Sequence, residues 1–301
     1  MTPPPTQRCG FVAVIGAPNA GKSTLVNALV GQKVAIVSAK AQTTRARLMG
    51  IALDGDTQMV LVDTPGIFSP KRRLDRAMVT AAWDGTQAAD AVLLVVDPVK
   101  QRRHELDPLI EALSHRPERK ILVLNKVDVA KKEPLLALAE EFGAKADFAE
   151  IFFVSAQTGD GVPEMKAALA AMMPEAEWVY PEDQVSDASE RLMAAEITRE
   201  QLYRQLHEEL PYDSAVRPEK YVERKDGSVE IHQQIVVGRE TQRPIVLGKG
   251  GSKIKAIGEA ARAELSELLG RKVHLFLHVK VEENWAENRE IYEEIGLDFG
   301  R

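Results

Sequence analysis

The sequence has few cysteines and no long apolar runs. Cys9 is the single cysteine among 301 residues, which excludes an internal disulfide and a cluster of thiolate metal ligands. No apolar run approaches the roughly 18 residues that a membrane-spanning helix needs. The first eight residues contain no apolar signal core. We therefore expect a protein of the reducing cytoplasm.

Length and charge limit the organisation of the chain. At 301 residues it is long enough for two domains. A net charge of −6 argues against indiscriminate coating of nucleic acid but allows a local basic patch. In the first half, near-continuous apolar strands alternate with helices, which predicts an α/β fold with a mostly parallel sheet covered on both faces. The predicted strands are 11–15, 48–53, 57–62, 91–96, 121–124 and 151–154.

The amino-acid composition changes at Pro174 to Ser186. This stretch is rich in acidic residues and proline, which suits a linker. After it, a long helix over 188–209, a hairpin at Lys225 to Ser228 and an alternating strand over 273–281 predict a smaller α+β domain. We predict an amino-terminal domain over 1–176 and a linker over 177–188. A second domain over 189–286 and a tail over 287–301 follow.

A glycine-containing loop stands between the first strand and the first helix. Backbone N–H groups of such a loop, together with the helix N-terminus, point at one spot and form a cradle for phosphates. Lys22 would reach the β- and γ-phosphates, and the Ser23 hydroxyl would bind Mg²⁺. The predicted nucleotide-binding residues of this loop are Gly16, Ala17, Pro18, Asn19, Ala20, Gly21, Lys22, Ser23 and Thr24.

The segment Asn125-Lys126-Val127-Asp128 follows another apolar strand. The Asp128 carboxylate can accept hydrogen bonds from guanine N1–H and the exocyclic amine, a pair that adenine does not offer. Asn125 would tie this loop to the phosphate loop, and the stem of Lys126 would lie along the base. Ser155 and Ala156 follow the next strand, where a backbone N–H would meet guanine O6. The sequence therefore predicts a GTP and GDP site.

Asp63, Thr64, Pro65 and Gly66 follow the strand after the phosphate loop and hairpin. Asp63 would hold Mg²⁺, usually through water, and the Gly66 N–H would approach the γ-phosphate. The next residue of the predicted nucleotide site is Ile67, at the position where Ras-type enzymes orient the attacking water with glutamine. Isoleucine can neither donate nor accept a hydrogen bond. We therefore expect slow hydrolysis unless it is accelerated from elsewhere.

Two assignments in the nucleotide site leave alternatives open. Thr43 and Thr44 both lie in the irregular stretch where a GTPase orders a threonine on Mg²⁺ and γ-phosphate. We prefer Thr44, and we place it with Lys22 and Gly66 as catalytic. The side-chain oxygen of Asn19 is a candidate ligand for a monovalent cation, but Asn19 can equally close the loop with its own backbone.

A second glycine loop lies in the predicted α+β domain, between an alternating strand and an amphipathic helix. Five basic residues and one acid lie between Gly238 and Gly258. Small residues allow close approach of a nucleic-acid backbone, and lysines attract its phosphates. A KH domain clamps about four single-stranded nucleotides in this way. The predicted RNA-binding residues are Gly248, Lys249, Gly250, Gly251, Lys253 and Lys255.

Read together, these motifs resemble the Era family of bacterial GTPases over nearly the whole chain. The resemblance rests on Gly16 to Thr24, the segment Gln42-Thr43-Thr44-Arg45, Asp63 to Gly66, Asn125 to Asp128, Ser155-Ala156 and Val246 to Ile254, in that order. A hydrophobic residue at the Ile67 position is typical of the family. Ala17 and Ala20 depart from the pattern, since larger residues are commoner there.

The resemblance implies a Ras-like GTPase domain followed by a type II KH domain. It also implies binding to the 3′ end of 16S rRNA, a role in assembly of the small (30S) ribosomal subunit and control of that binding by the nucleotide. K⁺ at Asn19, peripheral contact with the cytoplasmic side of the inner membrane and a monomeric state are further expectations. The alternatives are a membrane or cell-division regulator whose second domain binds a non-ribosomal partner, and a nucleotide sensor that hardly turns over.

Overall fold

The structure, a computed structural model, describes residues 7–40, 43–45, 48–68, 70, 72–87, 89–101, 103–207, 210–294 and 297–299; for 103–105 and 294 it describes the backbone only. Gln42 of the predicted Gln42-Thr43-Thr44-Arg45 segment lies outside these ranges, as do residues 1–6 of the predicted first domain and residues 295–296 and 300–301 of the predicted tail. The chain folds as two units. One comprises Met1–Ala35 and Thr44–Asp187, and the other Ile36–Thr43 and Ala188–Arg301.

The amino-terminal unit is built on one six-stranded sheet. Its strands are β1 Arg8–Ile15, β2 Leu48–Asp54, β3 Thr57–Asp63, β4 Ala91–Val96, β5 Arg119–Leu124 and β6 Phe148–Phe153. They are ordered β2-β3-β1-β4-β5-β6, with β2 and β3 antiparallel and the other neighbouring pairs parallel. This confirms the predicted mostly parallel α/β fold.

Helices cover both faces of this sheet, because neighbouring residues of a strand point to opposite sides. On one face, Val14 packs with Leu25 and Leu169. On the other face, Ile15 packs with Phe142. The helices of this unit are α1 Lys22–Val30, α2 Arg73–Asp84, α3 Arg103–Ser114, α4 Lys132–Lys145 and α5 Val162–Met172.

The carboxyl-terminal unit contains a three-stranded sheet ordered β7-β8-β9, in which β8 is antiparallel to β7 and parallel to β9. Its elements are α6 Glu190–Gln205, β7 Ser214–Glu223, β8 Val229–Val237, α7 Arg243–Leu247, α8 Ser252–Leu268, β9 Val273–Val281 and α9 Arg289–Glu294. The predicted hairpin and last strand are confirmed. The predicted helix over 188–209 is too long, because Leu206 is extended and ends α6.

No helix in the described ranges is long and apolar enough to cross a membrane.

Residues of the segment from Pro174 to Asp187 are hydrogen-bonded to β2 and β3 of the amino-terminal unit. Val185 accepts a hydrogen bond from the Ile51 N–H at 2.8 Å. The fully buried Gln58 makes the central contact: its Oε1 accepts the N–H groups of Val179 and Tyr180, each at 3.0 Å, and its Nε2 donates to the Tyr180 carbonyl at 2.8 Å. The composition of this segment predicts a linker, and these contacts hold it against the amino-terminal unit as a strap.

We predict that Gln58→Ala destabilises the protein, because two strap N–H groups lose this buried acceptor. The expected loss in free energy of unfolding is about 3 kcal/mol, measured by urea denaturation. The exposed Gln87 provides the matched control, and Gln87→Ala should change stability by less than about 0.5 kcal/mol. Equal stability of the two variants would show that the strap contributes no stability through Gln58.

Candidate functional site

The phosphate loop joins β1 to α1, and two of its positions accept only glycine. Gly16 has a φ of 149°, and a Cβ there would approach the Val95 carbonyl oxygen to 2.3 Å. Gly21 has a φ of 97°, and its Cβ would lie 2.2 Å from Asn125 Nδ2. Because Gly21 caps α1 without a side chain, the N–H groups of the first helical turn can bind phosphate oxygens.

Lys22 is buried at the start of α1 and folds back over the loop. Its Nζ donates to the carbonyl oxygens of Gly16 at 3.2 Å and Ala17 at 3.1 Å. Burial lowers the pKa of Lys22 to about 8, and the Asp63 carboxylate opposes this shift. An anionic ligand in the loop would favour the protonated amine and so restore an ordinary pKa.

Three side-chain oxygens converge beside the phosphate loop. Ser23 Oγ donates to Asp63 Oδ2 at 2.7 Å and lies 2.8 Å from Thr44 Oγ1, which is 3.4 Å from the same carboxylate oxygen. Asp63 is fully buried. Two hydroxyls and one carboxylate are hard oxygen donors of the kind that Mg²⁺ prefers. The residues present therefore fit an Mg²⁺ ion.

The two candidate threonines have different surroundings. Thr43 Oγ1 is engaged locally, since it donates to the Lys40 carbonyl and lies within hydrogen-bonding distance of Ser38 Oγ, both at 2.8 Å. Thr44 instead lies with Ser23 and Asp63. This geometry favours Thr44 as the metal-site threonine. The adjacent Arg45 side chain is buried.

The predicted γ-phosphate segment packs directly on the phosphate loop. A Cβ on Gly66 would lie 2.9 Å from Pro18 N, so only glycine allows this approach. The Ile67 N–H donates to the Gly16 carbonyl at 3.0 Å, and its side chain packs into the core with Ala17. Ile67 is thus a packing residue that offers the site no polar side chain.

Asn125 joins the loops predicted to bind the base to the phosphate loop. Its Nδ2 donates to the Ala20 carbonyl at 2.9 Å, and its Oδ1 accepts the N–H groups of Lys126 at 2.8 Å and Ala156 at 3.0 Å. The Lys126 Nζ reaches the Asn19 carbonyl at 2.8 Å. Asp128 is exposed, so its carboxylate is accessible to a base.

Ser155 and Ala156 lie beside these residues, but both of their N–H groups have acceptors within the protein. Ser155 donates to the Asp160 carbonyl at 2.9 Å, and Ala156 donates to Asn125. Contact of a base O6 with either N–H would require one of these bonds to be exchanged. In this arrangement the Ala156 N–H positions the Asn125 side chain.

In the carboxyl-terminal unit, the second glycine loop connects α7 to α8 through a short 3₁₀ turn, Lys249–Gly251. Gly250 and Gly251 are left-handed, with φ of 62° and 79°, and a Cβ on either would meet no atom within 4 Å. Lys249 and Lys255 are exposed. Lys253 is half-buried and its Nζ donates to the Gln205 carbonyl at 3.4 Å. The loop therefore presents open backbone flanked by two accessible cations.

Comparisons with known proteins agree with both halves of this description. A family described as a 50S ribosome-binding GTPase matches residues 11–126, and the KH domain family matches residues 209–286. A GTPase Era of Erythrobacter litoralis is 78% identical over 298 residues, which cover 98% of each chain. One from a Bradyrhizobium species is 57% identical over 294 residues, covering 98% of this chain and 96% of the relative.

Two solved structures are similar at a TM-score of 0.90 and 36% identity, covering 96% of this chain and 99% of theirs. One is a variant of Aquifex aeolicus Era bound to GDP·AlF₄⁻. The other is Era in complex with MgGDPNP and nucleotides 1506–1542 of 16S ribosomal RNA.

Fold and site together define a GTPase with a P-loop domain followed by a KH domain. The sequence identity to its relatives, over nearly the full length of each chain, defines the protein more narrowly. The chain belongs to the Era family of GTPases.

Sequence reasoning missed two features of the site. Asp97 directly follows β4, as Asn125 follows β5, yet no motif drew attention to it. The same signal, a polar residue at the carboxyl end of a parallel strand, would have found it. The assignment of residues 36–43 to the carboxyl-terminal unit had no signal in the sequence, because it depends on tertiary packing.

We predict that nucleotide binding takes up a proton above pH 8. Unliganded Lys22, with its pKa of about 8, is mostly neutral at pH 9, whereas phosphates favour the charged amine. Since the bound state holds more protons, affinity for GDP should fall as pH rises, with uptake approaching about one proton. Calorimetry in buffers of different ionisation enthalpy measures this uptake.

Lys22→Arg is the comparison, because arginine stays charged at these pH values. Titration of the guanine base contributes equally to both proteins. The variant should take up about one proton fewer than the wild-type protein at pH 9. Equal proton uptake by the two proteins at pH 9 would contradict the assignment to Lys22.

Proposed function

We propose that this GTPase is a switch that binds the 3′ end of 16S rRNA and acts in assembly of the small ribosomal subunit. The observation that carries the proposal is a phosphate and guanine site in the same chain as an open glycine-lysine loop. The complex of a related Era with MgGDPNP and 16S rRNA nucleotides supports it.

In the nucleotide site, Lys22 and the N-terminus of α1 would bind the β- and γ-phosphates, and the Gly66 N–H would contact the γ-phosphate. Ser23, Thr44 and Asp63 would hold Mg²⁺, which supplies charge neutralisation on the transferred phosphoryl group when bound. Because Ile67 cannot orient water, intrinsic hydrolysis would be slow. K⁺ at Asn19, contact with the inner membrane and a monomeric state remain predictions.

Residues 36–43 provide a means for nucleotide to control RNA binding. They belong to the carboxyl-terminal unit, where the Val37 N–H donates to Glu200 Oε1 at 2.9 Å and the Lys40 amine donates to the carbonyls of Tyr203 and Leu206 at the end of α6. A cation is favourable at a helix C-terminus. Thr44 of the metal site follows this segment directly, so an ordered Thr44 would restrain it.

We predict that Asp128→Asn changes base selectivity. An amide can donate where the carboxylate only accepts, so it no longer fits guanine but fits xanthine. GDP affinity should fall about a hundredfold or more, with a gain for XDP, as measured by competition with a fluorescent nucleotide. Asp107→Asn, an exposed change on α3, is the control. Unaltered GDP affinity of Asp128→Asn would reject this residue as the base reader.

We predict that Gly250→Asp weakens binding of a 16S 3′-end fragment about tenfold or more, because it places a carboxylate where the RNA backbone would approach. Gly227→Asp is the matched control, since Gly227 is also left-handed, with a φ of 80°, and equally open. Both variants should hydrolyse GTP at the wild-type intrinsic rate. Similar RNA affinities for the two variants, measured by fluorescence anisotropy, would count against the loop as the RNA clamp.

A further inference from the structure

Asp97 lies at the carboxyl end of β4, at the edge of the sheet where the loops of the nucleotide site meet. The strands β1, β3 and β5 deliver Gly16, Asp63 and Asn125 to the nucleotide site at this edge, and Asp97 directly follows Val96, the last residue of β4. Its side chain is almost completely buried. A carboxylate in that environment needs compensating partners.

Both carboxylate oxygens of Asp97 have hydrogen-bond partners within the protein. Oδ2 accepts the Lys126 ammonium at 2.6 Å. Oδ1 accepts the N–H groups of Val99 at 2.9 Å and Lys100 at 3.1 Å, while the Asp97 N–H donates to Gln101 Oε1 at 2.9 Å. The turn that follows β4 thus fixes the carboxylate before any ligand arrives.

Lys126 is held at both ends as a consequence. Its backbone is left-handed, with a φ of 64°, and its N–H donates to Asn125 Oδ1. Its ammonium lies between Asp97 Oδ2 and the Asn19 carbonyl of the phosphate loop. A free lysine side chain loses about 2 kcal/mol of rotamer entropy when it is immobilised, and here much of that loss precedes nucleotide binding.

We propose that Asp97 is a positioning residue that sets the residence time of guanine nucleotides by holding the stem of Lys126 as a preformed surface for the base. The proposal rests on the assignment of Lys126 to the base. The neutralised ammonium leaves the stem as an apolar surface, and its link to Asn19 ties the base surface to the phosphate loop. Preorganisation of this kind slows dissociation without adding a contact to the ligand.

A double-mutant cycle tests the proposal, with the dissociation rate of N-methylanthraniloyl-GDP as its readout. Asp97→Asn keeps the Oδ1 acceptor for the turn and removes the charge, and dissociation should become about tenfold faster. Lys126→Met keeps an apolar stem without the ammonium and should also speed dissociation. In the Lys126→Met background, Asp97→Asn should cause no further increase in the dissociation rate.

Asp90→Asn is the matched control at the other end of β4. Asp90 Oδ2 accepts the Phe11 N–H at 2.8 Å, far along the strand from the carboxyl edge, and its variant should release nucleotide at the wild-type rate. Asp97→Glu, which retains the charge, should stay within about threefold of wild type. That variant also keeps the test decisive if Asp97→Asn does not fold.

Three results would overturn the proposal: no change with Asp97→Asn, an equal change in both backgrounds, or an Asp97→Glu rate as fast as that of Asp97→Asn. The second result would show that Asp97 acts independently of Lys126, and the third that the charge of Asp97 does not determine the rate. An unchanged rate for Lys126→Met, which keeps the stem, would likewise overturn the proposal. An unchanged rate for Lys126→Ala, which removes the stem, would instead reject the assignment of Lys126 to the base, on which the proposal rests.

Discussion

The nucleotide site depends on the hydrogen bonds of the Asn125 side chain. Its amide donates to the phosphate loop at Ala20 and accepts from Ala156, and Gly21 leaves room for its Nδ2. This single buried group joins the loops after β1, β5 and β6. Parallel strands bring those loops to one edge of the sheet, but they do not fix the distance between them. The Asn125 amide links them directly, so that the residues predicted to bind the phosphates and those predicted to bind the base lie in one connected site.

Much of this arrangement could be predicted from sequence because it follows from local chemistry. Apolar strands alternating with helices specify the sheet, and glycine at 16 and 21 is required by backbone conformation. The choice between Thr43 and Thr44, by contrast, depends on which hydroxyl faces Ser23, and only packing decides it. Asp97 was missed because a single carboxylate after a strand has no motif, although its position at the sheet edge was available.

In the carboxyl-terminal unit too, some features could be predicted from sequence and others depend on packing. The basic residues around 248–255 indicated nucleic acid, and the open left-handed backbone at Gly250 and Gly251 agrees with close approach of a strand. The sequence did not indicate that Lys253 turns back to the end of α6. Nor did it indicate that residues 36–40 pack in this unit, with Lys40 bound to the carbonyls of Tyr203 and Leu206. Both lysines bind backbone carbonyls near the end of α6, where the helix dipole favours a cation.

The proposed function depends on communication between the nucleotide site and the RNA-binding loop. Thr44 of the proposed metal site directly follows the segment that belongs to the carboxyl-terminal unit. The most direct test is the affinity of the full chain for a single-stranded fragment of the 16S rRNA 3′ end, measured by fluorescence anisotropy with Mg²⁺ and either GDP or a non-hydrolysable GTP analogue. We expect binding about tenfold tighter with the analogue, a coupling typical of linked sites. Equal affinities in the two nucleotide states would contradict the account.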